Sequence, residues 1–173
     1  MEKKTEYRFQ VKLAVKDFWQ FSMYHATKGT VGLFGVVFTV AALFLLVTKW
    51  AEVDTSYRIL LVVCAALFPI WQPGVLYWKA RKQAALPVMQ IPLTLQFDES
   101  GLTVQQKEET AVFAWDQIFR VVELPHLLVL YTDSIHAYLL PDAALGEEKE
   151  GFLAMIEEAV PKENRKKRKG FFL

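Results

Sequence analysis

GTVGLFGVVFTVAALFLLVT, residues 29–48, is a run of twenty residues without a charge, and Lys28 and Lys49 stand at its two ends. As an α-helix rising 1.5 Å per residue it covers about 30 Å, the thickness of the hydrocarbon core of a bilayer. Its Leu, Val and Phe side chains each favour insertion by roughly 0.3–0.6 kcal/mol near the helix centre. We therefore predict a transmembrane helix rather than a cleaved signal peptide, whose apolar region is shorter.

A second uncharged run, ILLVVCAALFPIWQPGVLYW, covers residues 59–78. Pro69 and Pro73 remove backbone donors and predict a kink in its second half. A neighbouring helix or water must then satisfy the carbonyls that these prolines leave free. We predict a second transmembrane helix over 59–78, with a re-entrant segment as the alternative. Because only residues 49–58 join the two runs, the spans form an antiparallel hairpin.

The charges beside the spans predict their orientation. Bases predominate next to the outer ends of the spans, whereas the connector carries acids as well as bases. Cytoplasmic flanks of membrane proteins are enriched in Lys and Arg, so we predict that both chain termini are cytoplasmic and that residues 49–58 form an extracytoplasmic loop. The outer bases are Lys12, Lys16, Lys28, Lys79, Arg81 and Lys82.

Small residues line one face of the first span. Gly35, Thr39 and Ala42 are spaced by four and three residues, so a helix places them on one stripe that lets a second backbone approach closely. We interpret this stripe as the packing surface for the second span. The alternative is a seam between two copies of the chain.

Residues 1–28 predict a strand and a short helix ahead of the hairpin. Phe9, Val11 and Leu13 alternate with polar residues, which is the pattern of a half-buried strand that must pair with another strand. Asp17 then begins an amphipathic segment, and we expect its aromatic face to lie in the lipid headgroup region.

Residues 79–160 predict an antiparallel β domain that ends in a helix over 147–160. Short polar connectors separate the apolar runs, which leaves no room for crossover connections. The expected strands are 93–97, 102–106, 110–115, 118–124, 127–132 and 135–140. The fold class is therefore an α+β membrane protein, and the element order of its β domain is pleckstrin-homology-like.

Several core positions of this domain carry a family resemblance. They are Phe113, Trp115, Ile118, Val121 and Glu123, then Leu130, Tyr131, Leu140 and Pro141, before a helix that contains Phe152. With these residues the chain resembles YcxB-like proteins in their C-terminal domain. The resemblance implies a bacterial, membrane-bound protein and supplies no biochemical activity. With two spans, we expect a multi-pass protein of the cell inner (cytoplasmic) membrane.

Residue types that carry catalysis are scarce. The one cysteine, Cys64, lies within the second apolar run, and the three histidines belong to no metal-binding or nucleophile motif. Asp133 and His136 flank a turn and are expected to meet across it without function, and Trp115 is expected in the core. We predict no enzyme activity, no cofactor and no metal.

Residues 161–173 form a polybasic tail. Anionic lipid attracts bases near a membrane by about 1 kcal/mol each, so we predict membrane-surface contact for this segment. A merely solvated tail is the alternative, and nucleic acid is the least expected partner. The contact residues are Arg165, Lys166, Lys167, Arg168 and Lys169.

Together these features predict a membrane-anchored, non-enzymatic interaction module. Its partners are the lipid bilayer and a protein or lipid that the cytoplasmic β domain binds. The alternative is a subunit of an oligomeric small transporter or channel, in which Gln72 faces an aqueous path. A homo-oligomer is compatible with both functions.

Overall fold

The structure contains two long apolar helices and a β domain. The computed structural model describes residues 6–167. Helix α2 spans Gly29–Thr48, and a second continuous helix spans Thr55–Ala84. Both are long and apolar enough to cross a membrane. Only 11% and 6% of their most apolar windows are buried, far less than in the core helix of a soluble protein.

The second helix is longer and less regular than the run 59–78 predicts. It consists of α3 (Thr55–Ala66), a π-helical turn (Leu67–Trp71) and α4 (Gln72–Ala84). It starts early because the Asp54 side chain accepts a hydrogen bond from the backbone N–H of Tyr57 at 3.0 Å. Pro69 lies inside the π-helical turn. Proline has no backbone N–H to donate, and the wider turn accommodates this missing hydrogen bond.

Eight strands form two sheets within residues 6–167. The first sheet has the order β1-β2-β3-β4, with all pairs antiparallel. The second has the order β7-β6-β5-β8, where β8 is parallel to β5. The strands are β1 Tyr7–Val11, β2 Leu93–Phe97, β3 Gly101–Gln106, β4 Glu109–Ala114, β5 Arg120–Leu124, β6 Leu127–Tyr131, β7 Ala137–Pro141 and β8 Arg165–Lys167.

The predicted strands of the β domain are confirmed to within a few residues, and so is their antiparallel pairing within residues 79–160. A further strand, β8, lies in the predicted tail and is parallel to β5. A 3₁₀ turn over Lys162–Asn164 precedes it, and the chain then pairs with the edge of β5. Parallel pairing is possible because the whole terminal helix lies between the two strands.

The N-terminal strand is part of the β domain. It pairs along its whole length with β2, and Val11 is the register partner of Leu93. Phe9 and Val11 are buried, and both belong to the main core. The prediction that this strand pairs with another strand is therefore confirmed, and its partner lies on the other side of the hairpin in sequence. The hairpin and α1 are inserted between two adjacent strands of one sheet.

The main core lies between the two sheets and is closed by helix α6 (Lys149–Ala159). The ring of Phe152 meets the rings of Phe9 at 5.0 Å and Phe97 at 4.6 Å between centroids. Trp115 stacks on Phe97 and donates to the carbonyl of Asp98 at 2.9 Å, as expected of a core residue. The predicted terminal helix is confirmed. It begins at Lys149, after the one-turn helix α5 (Asp142–Leu145) and a 3₁₀ turn.

A second core joins α1 (Val15–Ala26) to α4 and to the other face of the second sheet. Phe18 and Tyr24 are buried there with Ala80 of α4. The expectation that this aromatic face lies among lipid headgroups is therefore wrong. The reason is that β6 is buried on both faces, so its second face needs a protein cover, which α1 provides.

Candidate membrane-surface site

Three basic residues and two tyrosines meet where the hairpin joins the β domain. His25 lies near the end of α1, Lys28 immediately precedes α2, and Arg120 opens β5. Arg120 is the register partner of Tyr131, the last residue of β6. These residues, with Tyr24, form what we call the junction cluster.

Close ring contacts hold the junction cluster together. The guanidinium carbon of Arg120 lies 4.7 Å from the ring centre of Tyr131. The Tyr131 hydroxyl is 3.0 Å from Nε2 of His25. The ammonium of Lys28 lies 5.6 Å from the ring centre of Tyr24, whose ring meets that of His25 at 5.3 Å. The cluster therefore runs without a gap from the sheet to the first residue before α2.

The electrostatics of the junction cluster favour an anion. Partial burial lowers the pKa of His25 from its ordinary value, and the positive charges of Lys28 and Arg120 lower it further. Burial raises the pKa of Tyr131 to about 12, with Tyr24 contributing in the same direction. The hydroxyl therefore stays protonated and no negative charge develops there. His25 and Lys28 are exposed, so the cluster is accessible from its surface.

A groove opens between α2 and the second helix next to the junction cluster. Its volume is about 510 Å³. Thr27 lies at one end and Val40 at the other, with Phe68 and Gln72 on the opposite wall. Most of its lining is apolar. Thr39 also faces this region, and its buried hydroxyl has no hydrogen-bond partner among the described residues.

The predicted packing stripe faces the second helix at two of its three positions. Gly35 and Ala42 are buried, and a Cβ on Gly35 would lie 2.8 Å from Cδ1 of Phe68. The rings of Phe34 and Phe38 also meet Phe68, at 6.0 Å and 5.6 Å between centroids. Within this structure the stripe therefore serves the hairpin.

A tryptophan and a base pair up at each end of the second helix. The Arg58 guanidinium carbon lies 5.1 Å from the ring centre of Trp50, and the Lys82 ammonium lies 3.6 Å from that of Trp78. Trp and cationic side chains at helix ends are typical of membrane interfaces. The long apolar surface of the hairpin is bounded by these two pairs.

Residues 97–156 match the family model described as YcxB-like protein. By this similarity we call the matched segment the YcxB-like domain. The match extends from the end of β2 into α6 and confirms the family resemblance for this part of the chain. No curated protein and no solved structure matches the chain.

The polybasic tail begins beside the YcxB-like domain. Arg165 lies in β8 and forms an ion pair with Glu157 of α6 at 3.3 Å. Lys166 and Lys167 continue the strand. Arg168 and Lys169 lie outside the described residues. The first part of the predicted membrane-contact segment is thus a sheet strand, and its contact with lipid stays a prediction.

Outside the junction cluster, the polar residues of the YcxB-like domain stabilise turns. Asp133 accepts two backbone hydrogen bonds and contacts Nδ1 of His136 at 2.6 Å, so these residues meet across the turn as predicted. The backbone hydrogen bonds lower the pKa of Asp133 to about 2. Among residues 6–167, no group of His, Cys, Asp and Glu side chains is arranged to hold a metal ion.

The sequence-based candidates missed Arg120 and Tyr131. A signal existed, because Arg120 is the only Lys or Arg in the run 118–131, which is otherwise apolar-rich. Recognising its role required the register that sets it beside Tyr131 and the fold of α1 that brings His25 against both.

Proposed function

We propose that the chain is a membrane-anchored, non-enzymatic interaction module. The hairpin crosses the inner membrane, both chain ends are cytoplasmic, and the YcxB-like domain binds a protein or lipid partner at the cytoplasmic surface. The observation that carries this proposal is the exposed apolar hairpin bounded by two Trp–base pairs. Such a surface is unfavourable in water and suits lipid.

The spacing of the two pairs supports a full span of the second helix. Arg58 and Trp78 are separated by twenty positions of one continuous helix. At 1.5 Å per residue this corresponds to about 30 Å, which matches the hydrocarbon core. The last turns of α4, which carry Arg81 and Lys82, then emerge on the side of the β domain.

The pairing of β1 with β2 supports a common side for both ends of the hairpin. Val11 and Leu93 are register partners, so the chain leaves and re-enters the sheet at the same place. The basic flanks Lys28, Lys79 and Lys82 lie at this end of the hairpin. By the positive-inside rule this end is cytoplasmic.

We further propose a pleckstrin-homology-like fold for the β domain. The support is its topology, in which a four-stranded antiparallel sheet is followed by β5, β6 and β7 and by a helix that packs between the sheets. In this interpretation α1 and the hairpin occupy the connection between the first two strands. Fold alone does not assign a ligand.

Cysteine labelling in intact cells tests the topology. In a Cys64→Ser background, Ser56→Cys lies at the start of α3 and Ser134→Cys lies in the β6–β7 turn, and both positions are exposed. A membrane-impermeant maleimide should label Ser56→Cys from outside and Ser134→Cys only after permeabilisation. Equal labelling of both in permeabilised cells is the control. Labelling of Ser134→Cys in intact cells would contradict the proposed orientation.

Photo-crosslinking from exposed positions of the YcxB-like domain tests the interaction role. We expect a specific protein neighbour in intact membranes, or lipid binding that falls when residues 97–156 are deleted. The proposal is wrong if no protein neighbour is recovered and lipid binding is unaffected by this deletion.

A subunit of an oligomeric small transporter or channel is the second candidate. The observation that favours it is the groove, where Gln72 and Thr39 bring polar groups into an apolar surface. Solute flux in proteoliposomes that depends on Gln72 would support this function. If no such flux is measured, this candidate function is wrong.

A further inference from the structure

The junction cluster and the groove lie next to each other at the cytoplasmic end of the proposed hairpin. His25 belongs to the cluster, and the following two residues, Ala26 and Thr27, line the groove. Lys28, the next residue, belongs to the cluster again. A basic surface and an apolar groove thus share one short segment between α1 and α2.

We propose that the chain binds one anionic phospholipid of the cytoplasmic leaflet, with its phosphate at Arg120, His25 and Lys28 and one acyl chain in the groove. This inference rests on the proposed function, because it requires the hairpin to lie in the membrane.

Arg120 is the main phosphate ligand of this site. Among residues 6–167 no carboxylate lies within 4 Å of its guanidinium, and its buried Nε has no hydrogen-bond partner. The Tyr131 ring supports the planar guanidinium from one side. Arginine donates two parallel hydrogen bonds to a phosphate, and such charge-assisted bonds are about twice as strong as neutral ones.

His25 and Lys28 add charge from a second direction. In the absence of an anion, burial lowers the pKa of His25 and the charges of Lys28 and Arg120 lower it further, while Tyr24 and Tyr131 contact its ring without charge. A phosphate between these groups offsets that repulsion and favours the protonated imidazole, which donates a further hydrogen bond.

The groove has the depth of one leaflet. From Thr27 to Val40 it follows thirteen residues of chain, most of them in α2, which corresponds to roughly 20 Å. Half of a hydrocarbon core of about 30 Å, together with part of the interface, has this depth. Its volume of about 510 Å³ lies in the range of small-ligand sites. An acyl chain fits this shape, and the charged cluster at its mouth matches an anionic headgroup.

A second transmembrane helix is a poorer occupant of the groove. Close helix packing in membranes relies on small residues that let backbones approach. The buried glycine of this region, Gly35, is already covered by Phe68 of the same hairpin. The remaining lining contains Val31, Val36 and Val40, which keep another backbone at a distance.

Native mass spectrometry of the full chain in mild detergent tests the site. We expect one retained phosphatidylglycerol and at least a tenfold preference over phosphatidylcholine with the same acyl chains. Arg120→Gln should lower retention of phosphatidylglycerol about tenfold, and Arg120→Lys should restore only part of it. The matched control is Arg8→Gln, which removes an exposed base from the first sheet and should leave retention unchanged.

Two further measurements distinguish a lipid headgroup from free phosphate and test the role of the acyl chain. Inorganic phosphate at millimolar concentration should displace little lipid, whereas Thr39→Phe, which fills the groove, should lower retention at unchanged headgroup charge. Equal losses in Arg8→Gln and Arg120→Gln would overturn the site, and so would binding of inorganic phosphate without lipid. If Ser56→Cys and Ser134→Cys label as expected but no lipid is retained, this inference fails while the proposed function stands.

Discussion

Gly32 occupies a position in α2 where no side chain fits. A Cβ there would clash with the carbonyl oxygen of Thr27, which is backbone and cannot rotate away. The segment between α1 and α2 folds against the first turn of α2 because this residue has no side chain. Thr27 directly precedes Lys28 of the junction cluster, so this close approach lies beside the cluster.

We predict that Gly32→Ala destabilises the protein by about 1–3 kcal/mol, the usual cost of overpacking. Gly74→Ala is the matched control, because a Cβ at Gly74 meets nothing within 4 Å. Because alanine is favoured over glycine within a helix by roughly 0.8–1 kcal/mol, Gly74→Ala should not destabilise the protein. Thermal unfolding in detergent should show a lower midpoint for Gly32→Ala only. Equal midpoints for both variants would contradict the close approach at Thr27.

His25 predicts a pH dependence of stability. Its pKa in the folded chain lies below the ordinary 6.5, so between these two values the unfolded chain binds more protons. The free energy of unfolding therefore rises with pH in this window and falls as the pH is lowered through 6.5. Denaturant unfolding at about pH 7.5 and 5.5 measures the difference.

His25→Gln should reduce this loss of stability on acidification, because the glutamine carries no charge at either pH. The matched control is His126→Gln in an exposed turn, which should retain the loss. Equal loss in the wild type and in His25→Gln would show that other groups cause it.

At the scale of elements, the hairpin and most strands could be predicted from the sequence. Lys28 and Lys49 bound α2 at the predicted residues, where the uncharged run ends. Strict alternation located β1 and β2. The strand β8 could not be predicted, because its residues are three bases and its pairing depends on the open edge of β5.

The surroundings of α1 could not be predicted either. An aromatic face that suits the headgroup region also suits a sheet, and only the fold shows that β6 needs a cover on this side. The same limit applies to the candidate site. Arg120, Tyr131 and His25 are distant in sequence, and pairing of β5 with β6 and docking of α1 bring them together.

The contact between Gly35 and Phe68 predicts a coupled pair within the hairpin. Gly35→Leu should destabilise the hairpin by about 1–3 kcal/mol, because the added side chain meets the ring. Phe68→Ala makes room for the new side chain. The double variant should therefore lose less unfolding free energy than the two single variants together, with a coupling energy of about 0.5–3 kcal/mol. Unfolding in detergent measures the cycle, and light scattering should show the same oligomeric state throughout. Additive costs, or a change of oligomer size, would instead indicate a seam between copies.

At the scale of the whole molecule, the anchor and the β domain share one structure. The first sheet is built from strands on both sides of the hairpin, and the second core joins α1 and α4 to the second sheet. The indole of Trp19 in α1 donates to the carbonyl of Pro73 in α4 at 3.1 Å, which adds a direct bond between these parts. The hairpin and the domain are therefore joined by strand pairing, by side-chain packing and by this hydrogen bond.

Phe9→Ala tests this dependence. Phe9 is buried against Phe97 and Phe152, so its removal should destabilise the β domain by about 3–5 kcal/mol. Gln10→Ala, on the exposed face of the same strand, should stay within about 0.5 kcal/mol. Limited proteolysis of the YcxB-like domain reports the loss. A fragment without the first 28 residues that retains a folded domain would contradict the shared structure.

The place of the hairpin between β1 and β2 has a consequence for biosynthesis. At 5–20 residues per second, β1 leaves the ribosome roughly 4–16 s before its partner strand, because residues 12–92 are made in between. During that interval β1 has no strand to pair with. On the proposed topology, insertion of the hairpin precedes closure of the sheet. A chain that misses the membrane therefore exposes its apolar strand and hairpin together to quality-control proteases.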